Sequence, residues 1–301
     1  TASFSESMAA TPTISLSGLT ANARMSSTSS KSVWTYAWTV STTATSTTAT
    51  VSGMDLSENV YSGTDSITFS IDNSEPTVTL SDTDLDNLVS NSDVVTLTAS
   101  FSESMAATPT ISLSGITADA RMSATASDTV WTYAWTVSTT ATSTTATVSA
   151  TDLAGNAYTG SESITFTIDQ ERPYVVSTSI SNTLNRAGYI SFTSTNTLTI
   201  TFNEKINELT FTASDVTILP SGYFSITEDN SNDEITYVGY LNVLSSYSGI
   251  VTFTLNENSL EDLAGNLNTA SSTTFIADAT GPTVTLSDTD LDNLVSNSDV
   301  V

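Results

Sequence analysis

The chain repeats itself, and the repeat limits what it can fold into. Residues 1–75 align without gaps on residues 98–172, an offset of 97, with 57 of 75 positions identical. Thr283–Val301 is identical to Thr77–Val95 over all 19 positions. A period of 97 residues is too long for a solenoid turn but fits one β-sandwich domain of about 100 residues. The offsets divide the chain into four parts: a first module, 1–75, that lacks its opening strand; a complete module, 76–171; a diverged module, 172–281; and a final stretch, 282–301, holding only the opening strand and loop of a module. That stretch stops two residues short of the point where the first copy begins. Two arrangements fit these offsets. The chain is a window from a longer array, or it is a polymerising filament subunit whose last residues complete the open module of a neighbouring copy by strand addition.

Within the complete module, Thr77–Leu80 and Val94–Phe101 alternate apolar and polar residues, as half-buried strands do. Thr110–Leu113 reads as a further short strand. In Val130–Val137 the residues Trp131, Tyr133, Trp135 and Val137 share one face, and pleat spacing directs that face to the core. Ala146–Ala150 and Ile164–Ile168 follow, separated by a glycine-containing turn over Asp152–Gly160. About seven short strands with polar turns and no helical period predict an all-β fold: tandem immunoglobulin-like antiparallel β-sandwich modules in a linear array. Only 38% of residues are hydrophobic. The balance is rich in Thr, which favours strands, and in Ser and Asn, which favour turns. Four Trp and regular Val/Ile/Phe alternation separate the chain from disordered polar sequence.

The formal charge is −26, from 32 acidic groups against six basic ones. Nucleic acid is excluded as a partner, because phosphates need a basic surface, and anionic membrane surfaces are disfavoured likewise. No apolar run approaches the ~18 residues of a spanning helix, so direct membrane insertion is not expected. Neither an initiating Met nor a signal peptide stands at Thr1, as expected of an internal window. The chain has no Cys and no His. Disulfides, Cys/His zinc sites and Ser-His-Asp or Cys-His catalysis are thereby ruled out. Lys31 and Lys205 are the only lysines, and Asp128 replaces Lys31 in the matching repeat, so Lys–Asn cross-links are not expected. The remaining candidates for chemistry are carboxylates. They recur at the same place in each module, as structural sites do, and the chain is not expected to be an enzyme. A charge excess of this size either repels itself or is neutralised by bound cations.

Val148–Asn156, Val-Ser-Ala-Thr-Asp-Leu-Ala-Gly-Asn, is followed by Phe166-Thr-Ile-Asp169 and Pro173. The ending recurs as Asp262-Leu-Ala-Gly-Asn266, Phe275-Ile-Ala-Asp278 and Pro282, while the first module has Asp55-Leu-Ser-Glu-Asn59 with Glu58 in place of Gly. This pattern resembles the closing half of bacterial Ig-like (BIg) tandem-repeat domains, found in giant surface adhesins, biofilm proteins and extracellular fibres. The resemblance implies a structural stalk or fibre segment of a secreted protein at the cell surface or in extracellular matrix. Its partners would be neighbouring modules or copies of itself, and any glycan or surface target for cell adhesion would be reached through regions outside this window.

The usual strand order of a sandwich gathers the acidic residues. The strand before Asp152 and the strand Val94–Phe101 both run to the module's N-terminal end. Glu103, Asp152 and Asn156 are therefore expected beside Asp72 of the preceding linker, as hard oxygen donors for Ca²⁺. Glu204, Asp262 and Asn266 should meet Asp169 in the same way. The first module offers Glu6, Asp55 and Asn59, and Asp278 would serve a following module. The arrangement resembles the calcium-stiffened junctions of cadherin-type and bacterial adhesin arrays. A second acidic set, Asp82, Asp84 and Asp86 with Asn87, recurs as Asp288, Asp290, Asp292 and Asn293. Its spacing suits the start of an EF-hand, but Asn87 stands where that loop needs Gly, and Asp93 where it needs Glu. This loop is placed at the module's C-terminal end, where it would add ligands to the next junction. Asp-x-x-Gly-Asn is also a good tight turn in its own right. A carbohydrate-binding Ig-like module is the other reading, with the Thr-rich run at 41–50, repeated at 138–147, presenting hydroxyls to sugar.

Overall fold

The computed structural model describes residues 1–182, 187–229 and 233–287. Asp288, Asp290, Asp292 and Asn293 of the second acidic loop lie outside these. The described chain is all-β, with antiparallel sheets and one short 3-10 turn at Ala213–Asp215. No helix among the described residues is long and apolar enough to cross a membrane. The chain falls into two compact units. One comprises Thr1–Leu85, Val94–Trp135 and Ser143–Thr165; the other comprises Asp86–Asp93, Thr136–Thr142 and everything from Phe166 onward.

The third module, in the second unit, shows the fold most fully. One sheet orders its strands Val175–Asn182, Asn196–Phe202, Thr236–Val243 and Phe224–Asp229; the other orders them Tyr189–Ile190, Ser271–Ala277, Gly249–Leu255 and Val216–Leu219. This is the strand order of an immunoglobulin-like sandwich. All pairs are antiparallel except Tyr189–Ile190, which runs parallel to Ser271–Ala277. The chain thus crosses from one sheet to the other between its first and second strands. Alternation builds the core: Leu198, Ile200 and Phe202 point inward from one sheet and Val251, Phe253 and Leu255 from the other. Phe202 ends its strand in an edge-to-face cluster with Phe211 and Tyr237, at centroid distances of 5.9 and 5.7 Å. With the strand end fixed, the chain emerges two residues later at Glu204.

The second module repeats this plan. Val78–Ser81 pairs with Val94–Phe101, and Ser123–Ala124 with Val130–Thr136. Thr110–Leu113 pairs with both Thr117–Arg121 and Ser143–Ser149. Leu88–Val89 runs parallel to the end of Ser163–Ile168. The strands expected from alternation are present. Those added by the structure are Leu88–Val89, Thr117–Arg121 and Ser123–Ala124, which are short or polar and carry little pattern. Of the aromatic stripe, Trp135 and Val137 are buried, while Trp131 and Tyr133 are half-buried.

The first module carries nearly the same sequence on a smaller frame. Its core cluster is Met8, Met25 and Trp34, with Phe4, Ile14, Tyr36 and Val51 packed partly against it. Phe69 is 43% exposed, whereas its equivalent Phe166 is fully buried. Phe166→Ala should therefore cost about 3–5 kcal/mol, the range for a buried Phe, and Phe69→Ala less than half of that. Denaturant unfolding of the two variants checks the ratio; equal losses would contradict the difference in burial.

Candidate metal centre

Two groups of three carboxylates are drawn together among the described residues. Asp72, Glu103 and Asp152 form one, and Asp169, Glu204 and Asp262 the other; in each, one ligand oxygen per residue lies within 4.8 Å of the others. Each group takes an aspartate from the linker before a module, a glutamate two residues past a buried Phe, and an aspartate from the module's closing turn. Asp152 and Asp262 are buried, Glu103 and Glu204 are half-buried, and Asp72 is exposed.

The closing turn presets its aspartate. Oδ1 of Asp152 accepts the N–H groups of Ala154 at 2.8 Å, Gly155 at 2.7 Å and Asn156 at 2.8 Å. Gly155 reaches this geometry at φ +98° and Gly265 does the same at φ +86°, while Glu58 of the first module is held at φ +67°. A left-handed backbone is unfavourable for a residue with a Cβ. The linker aspartates are preset as well: Asp72 accepts from Ser74 N at 2.9 Å, Asp169 from Glu171 N at 3.0 Å and Asp278 from Thr280 N at 2.9 Å.

The asparagines differ from the sequence expectation. Asn156 turns its amide nitrogen to Asp152 Oδ2 at 2.8 Å and to the Asp72 carbonyl at 3.3 Å. Asn266 does the same to Asp262 Oδ2 at 2.9 Å and the Asp169 carbonyl at 3.2 Å. Asn59 donates to Asp55 Oδ2 at 2.8 Å. The end facing the carboxylates is a donor, as it must be beside two acceptors. Asn156 and Asn266 tie turn to linker, and Asn59 braces its own turn, with the nitrogen end and not the oxygen toward the carboxylates.

Glu6 is exposed and, with Asp55, Asp278, Asp82, Asp84 and Asp86, stands outside the two groups. Asp55 keeps its oxygens on its own turn, accepting from Ser57 N and Asn59 N at 2.8 Å each. In the acidic loop Asp82 accepts from Asp84 N at 2.9 Å and Asp86 from Leu88 N at 3.1 Å. Those aspartates shape the turn that carries Leu88–Val89.

Other junction residues gave no sequence signal. Asn203 donates to Glu204 Oε1 at 2.9 Å and to Glu171 Oε1 at 3.2 Å, bringing a fourth carboxylate to the second group. Arg172 donates through Nε to the Leu267 carbonyl at 2.7 Å and through its terminal nitrogens to Asn258 and the Asn268 carbonyl. At the equivalent position of the first junction, Glu75 accepts from Thr159. Position in the repeat, one residue before Pro76 and Pro173, is the only signal the two share.

The electrostatics follow from like charges gathered at partly buried positions. Burial pushes the Glu204 carboxyl up to about 7 against the bond from Asn203, and charges on Asp169, Asp262 and Glu171 add to the rise. Glu103 is raised in the same sense, by burial first and then by Asp72 and Asp152. Burial also raises Asp262, outweighing the bonds from Asn266. For Asp152 burial acts upward too, but the donors of Asn156, Gly155 and Ala154 outweigh it and hold the carboxyl low. An all-oxygen set of three carboxylates fits a hard divalent cation: ligands at ~2.3–2.6 Å from one Ca²⁺ lie no more than about 5 Å apart.

No family model and no curated protein matches the chain. Solved structures similar to it carry Ig-like domains. The I-band fragment I67-I69 from titin is 14% identical at a TM-score of 0.36, covering 68% of this chain and 66% of the fragment. The titin domains Z1Z2 in complex with telethonin are 14% identical at 0.27, covering 71% of this chain and 100% of that one. Dpr2 Ig1-Ig2 in complex with DIP-Theta Ig1-Ig3 is 8% identical at 0.22, covering 68% and 98%.

Two outcomes follow for the chain in chelator. A carboxyl raised in the folded state binds more protons than it does unfolded, so stability falls as pH rises from the ordinary glutamate value of 4.5 to about 7. Thermal melting of the third module should therefore drop between pH 5 and pH 7.5, and Glu204→Gln should flatten that slope; an unchanged slope in the variant would contradict the assignment. In the closing turns, Gly155→Ala should destabilise the second module by about 1 kcal/mol or more and Glu58→Gly should stabilise the first by a similar amount. Denaturant midpoints check both signs.

Proposed function

We propose that the chain is a structural stalk segment of a secreted bacterial surface protein, an adhesin or extracellular filament, stiffened by calcium at its module junctions. The observation that carries this reading is the recurrence of one three-carboxylate group at two successive linkers, Asp72/Glu103/Asp152 and Asp169/Glu204/Asp262. The third module differs from the second at most other positions, so a shared group of this kind answers to a shared constraint. Linker, strand end and closing turn contribute one oxygen donor each. A divalent cation held by all three ties the linker to the module after it and offsets the repulsion that raises Glu103 and Glu204.

The bacterial Ig-like motif and the calcium economy of such a site both favour an extracellular setting. Extracellular modules bind calcium at about 10⁻⁴–10⁻³ M, which external fluids supply and the cytosol does not. The reading assigns no catalysis to the chain. A sugar platform on the Thr-rich strands is disfavoured by where the hydroxyls go. Thr47 donates to the Ser17 carbonyl at 3.1 Å, and the Thr48/Thr68 and Thr145/Thr165 hydroxyl pairs meet at 2.9 and 3.0 Å.

Calcium at about ten times its dissociation constant should add about 1.4 kcal/mol of stability per site and narrow the distribution of chain dimensions in small-angle scattering. Asp152→Asn with Glu103→Gln should remove the effect of calcium at the first junction and leave the second. Identical melting and scattering with calcium and with EDTA would end the calcium reading.

A further inference from the structure

The two junctions share a carboxylate group but not a linker. Aligned on their aspartates, Asp72-Asn-Ser-Glu-Pro76 and Asp169-Gln-Glu-Arg-Pro173 differ at all three positions between Asp and Pro. Some anchors are common to both. Asn156 and Asn266 hold the carbonyls of Asp72 and Asp169 at 3.3 and 3.2 Å. Just past the proline, Ser102 Oγ accepts from Thr77 N at 3.0 Å and Asn203 Oδ1 from Tyr174 N at 2.7 Å.

At the second linker each variable residue adds a hold. Gln170 donates to the Thr139 carbonyl and accepts from Asn91 Nδ2 at 2.9 Å, while Glu171 accepts from Asn203 Nδ2 at 3.2 Å. Arg172 reaches forward into the third module. Its Nε donates to the Leu267 carbonyl at 2.7 Å, and one terminal nitrogen donates to the Asn268 carbonyl at 2.7 Å and Asn258 Oδ1 at 2.6 Å. The next residue, Pro173, accepts from Thr269 N at 2.9 Å. A planar guanidinium spanning two successive carbonyls beyond the closing turn fixes the linker's direction as well as its place. Each of these bonds has a charged donor and is stronger for it. The ion pair with Glu257, at 3.5 Å and exposed on both sides, adds little. At the first linker Glu75 stands in Arg172's place. A carboxylate accepts and cannot donate. Glu75 therefore has nothing to offer the carbonyls of Ala157 and Tyr158, which correspond to those of Leu267 and Asn268, and takes the Thr159 hydroxyl instead. It also adds negative charge to a linker that already brings Asp72 to Glu103 and Asp152.

We propose that Arg172 clasps the 169–173 linker to its module with or without a cation, whereas the 72–76 linker is released when its cation leaves. The second half rests on the calcium reading above; the first half does not. Arg172 is thus a positioning residue, holding Asp169 in reach of Glu204 and Asp262 through backbone carbonyls of the third module. Loss of calcium then loosens the chain at its first junction while the second stays fastened. One position of the linker, Glu75 or Arg172, decides which behaviour a junction has.

Hydrogen exchange of the whole chain, read at the amides of Thr77 and Tyr174 and corrected for intrinsic rates, tests both halves. In EDTA, Tyr174 should exchange roughly tenfold slower than Thr77, the scale of one charge-assisted bond. Arg172→Met keeps the stem and removes the donors. It should bring Tyr174 to the rate of Thr77, with the amides of Asn196–Phe202 unchanged as the sign that the module stays folded. Should those amides change, Arg172→Lys carries the comparison: one ammonium cannot span all three acceptors, so Tyr174 should exchange at an intermediate rate. Calcium should slow Thr77 in the unsubstituted chain, leave Tyr174 nearly unchanged there, and slow Tyr174 in Arg172→Met. Equal rates at Thr77 and Tyr174 in EDTA, or a Tyr174 rate that ignores both substitutions, would overturn the clasp. With the EDTA contrast present and no calcium effect at either amide, the clasp is supported and the calcium reading falls.

Discussion

At each of two linkers a buried aspartate sits at the bottom of a closing turn and faces two more carboxylates, one on the linker and one at a strand end. Asp152 is fully enclosed and saturated on one oxygen by three backbone N–H groups, so it stays ionised and fixed in place. The linker aspartate is brought to it by an Asx turn and by the side-chain amide of Asn156. Glu103 or Glu204 then has no position free of like charge, and burial sharpens the conflict. Protonation relieves this at low pH. On the calcium reading proposed above, a cation would take over that relief in neutral fluid and give the linker a partner in the module that follows it.

The two near-identical modules show how far local sequence goes before tertiary context takes over. The same seven residues make a full strand in one module and less than half of one in the other, because a strand is held by its neighbour as well as by its own propensity. The same Phe is core in one and surface in the other. Turn chemistry, in contrast, largely survives the loss: Asp55 keeps the bond from its asparagine and two of the three backbone donors that Asp152 has, although Glu58 has to occupy a left-handed backbone to allow it. Short-range hydrogen bonding sets the turns, whereas the second module's sheets depend on partner strands as far as 79 residues away.

That division explains what could be read from the sequence. The fold was legible in Val94–Phe101 and Ile164–Ile168, where inward and outward residues alternate. Glu103, Asp152 and Asp72 were legible because topology sends two strand ends and a linker to one place, and because the set recurs in the diverged module. Asn156 points its amide nitrogen at the Asp152 carboxylate and the Asp72 carbonyl, because an amide has an acceptor end and a donor end of the same shape and its acceptor neighbours decide which faces inward. Arg172 left no trace, since its carbonyl partners are 95 and 96 positions away, and Asn203 none because its bond to Glu171 spans 32 positions that no local motif encodes. The two-residue strand Leu88–Val89 was hidden for the opposite reason: two residues are too few to show a period.

The most direct measurement is a high-resolution crystal structure of the chain grown with calcium. The account predicts a spherical density peak enclosed by Asp72, Glu103 and Asp152, and a second by Asp169, Glu204 and Asp262, each with oxygen distances of about 2.3–2.6 Å. Water at both places, with the linker aspartates turned away from the closing turns, would contradict it.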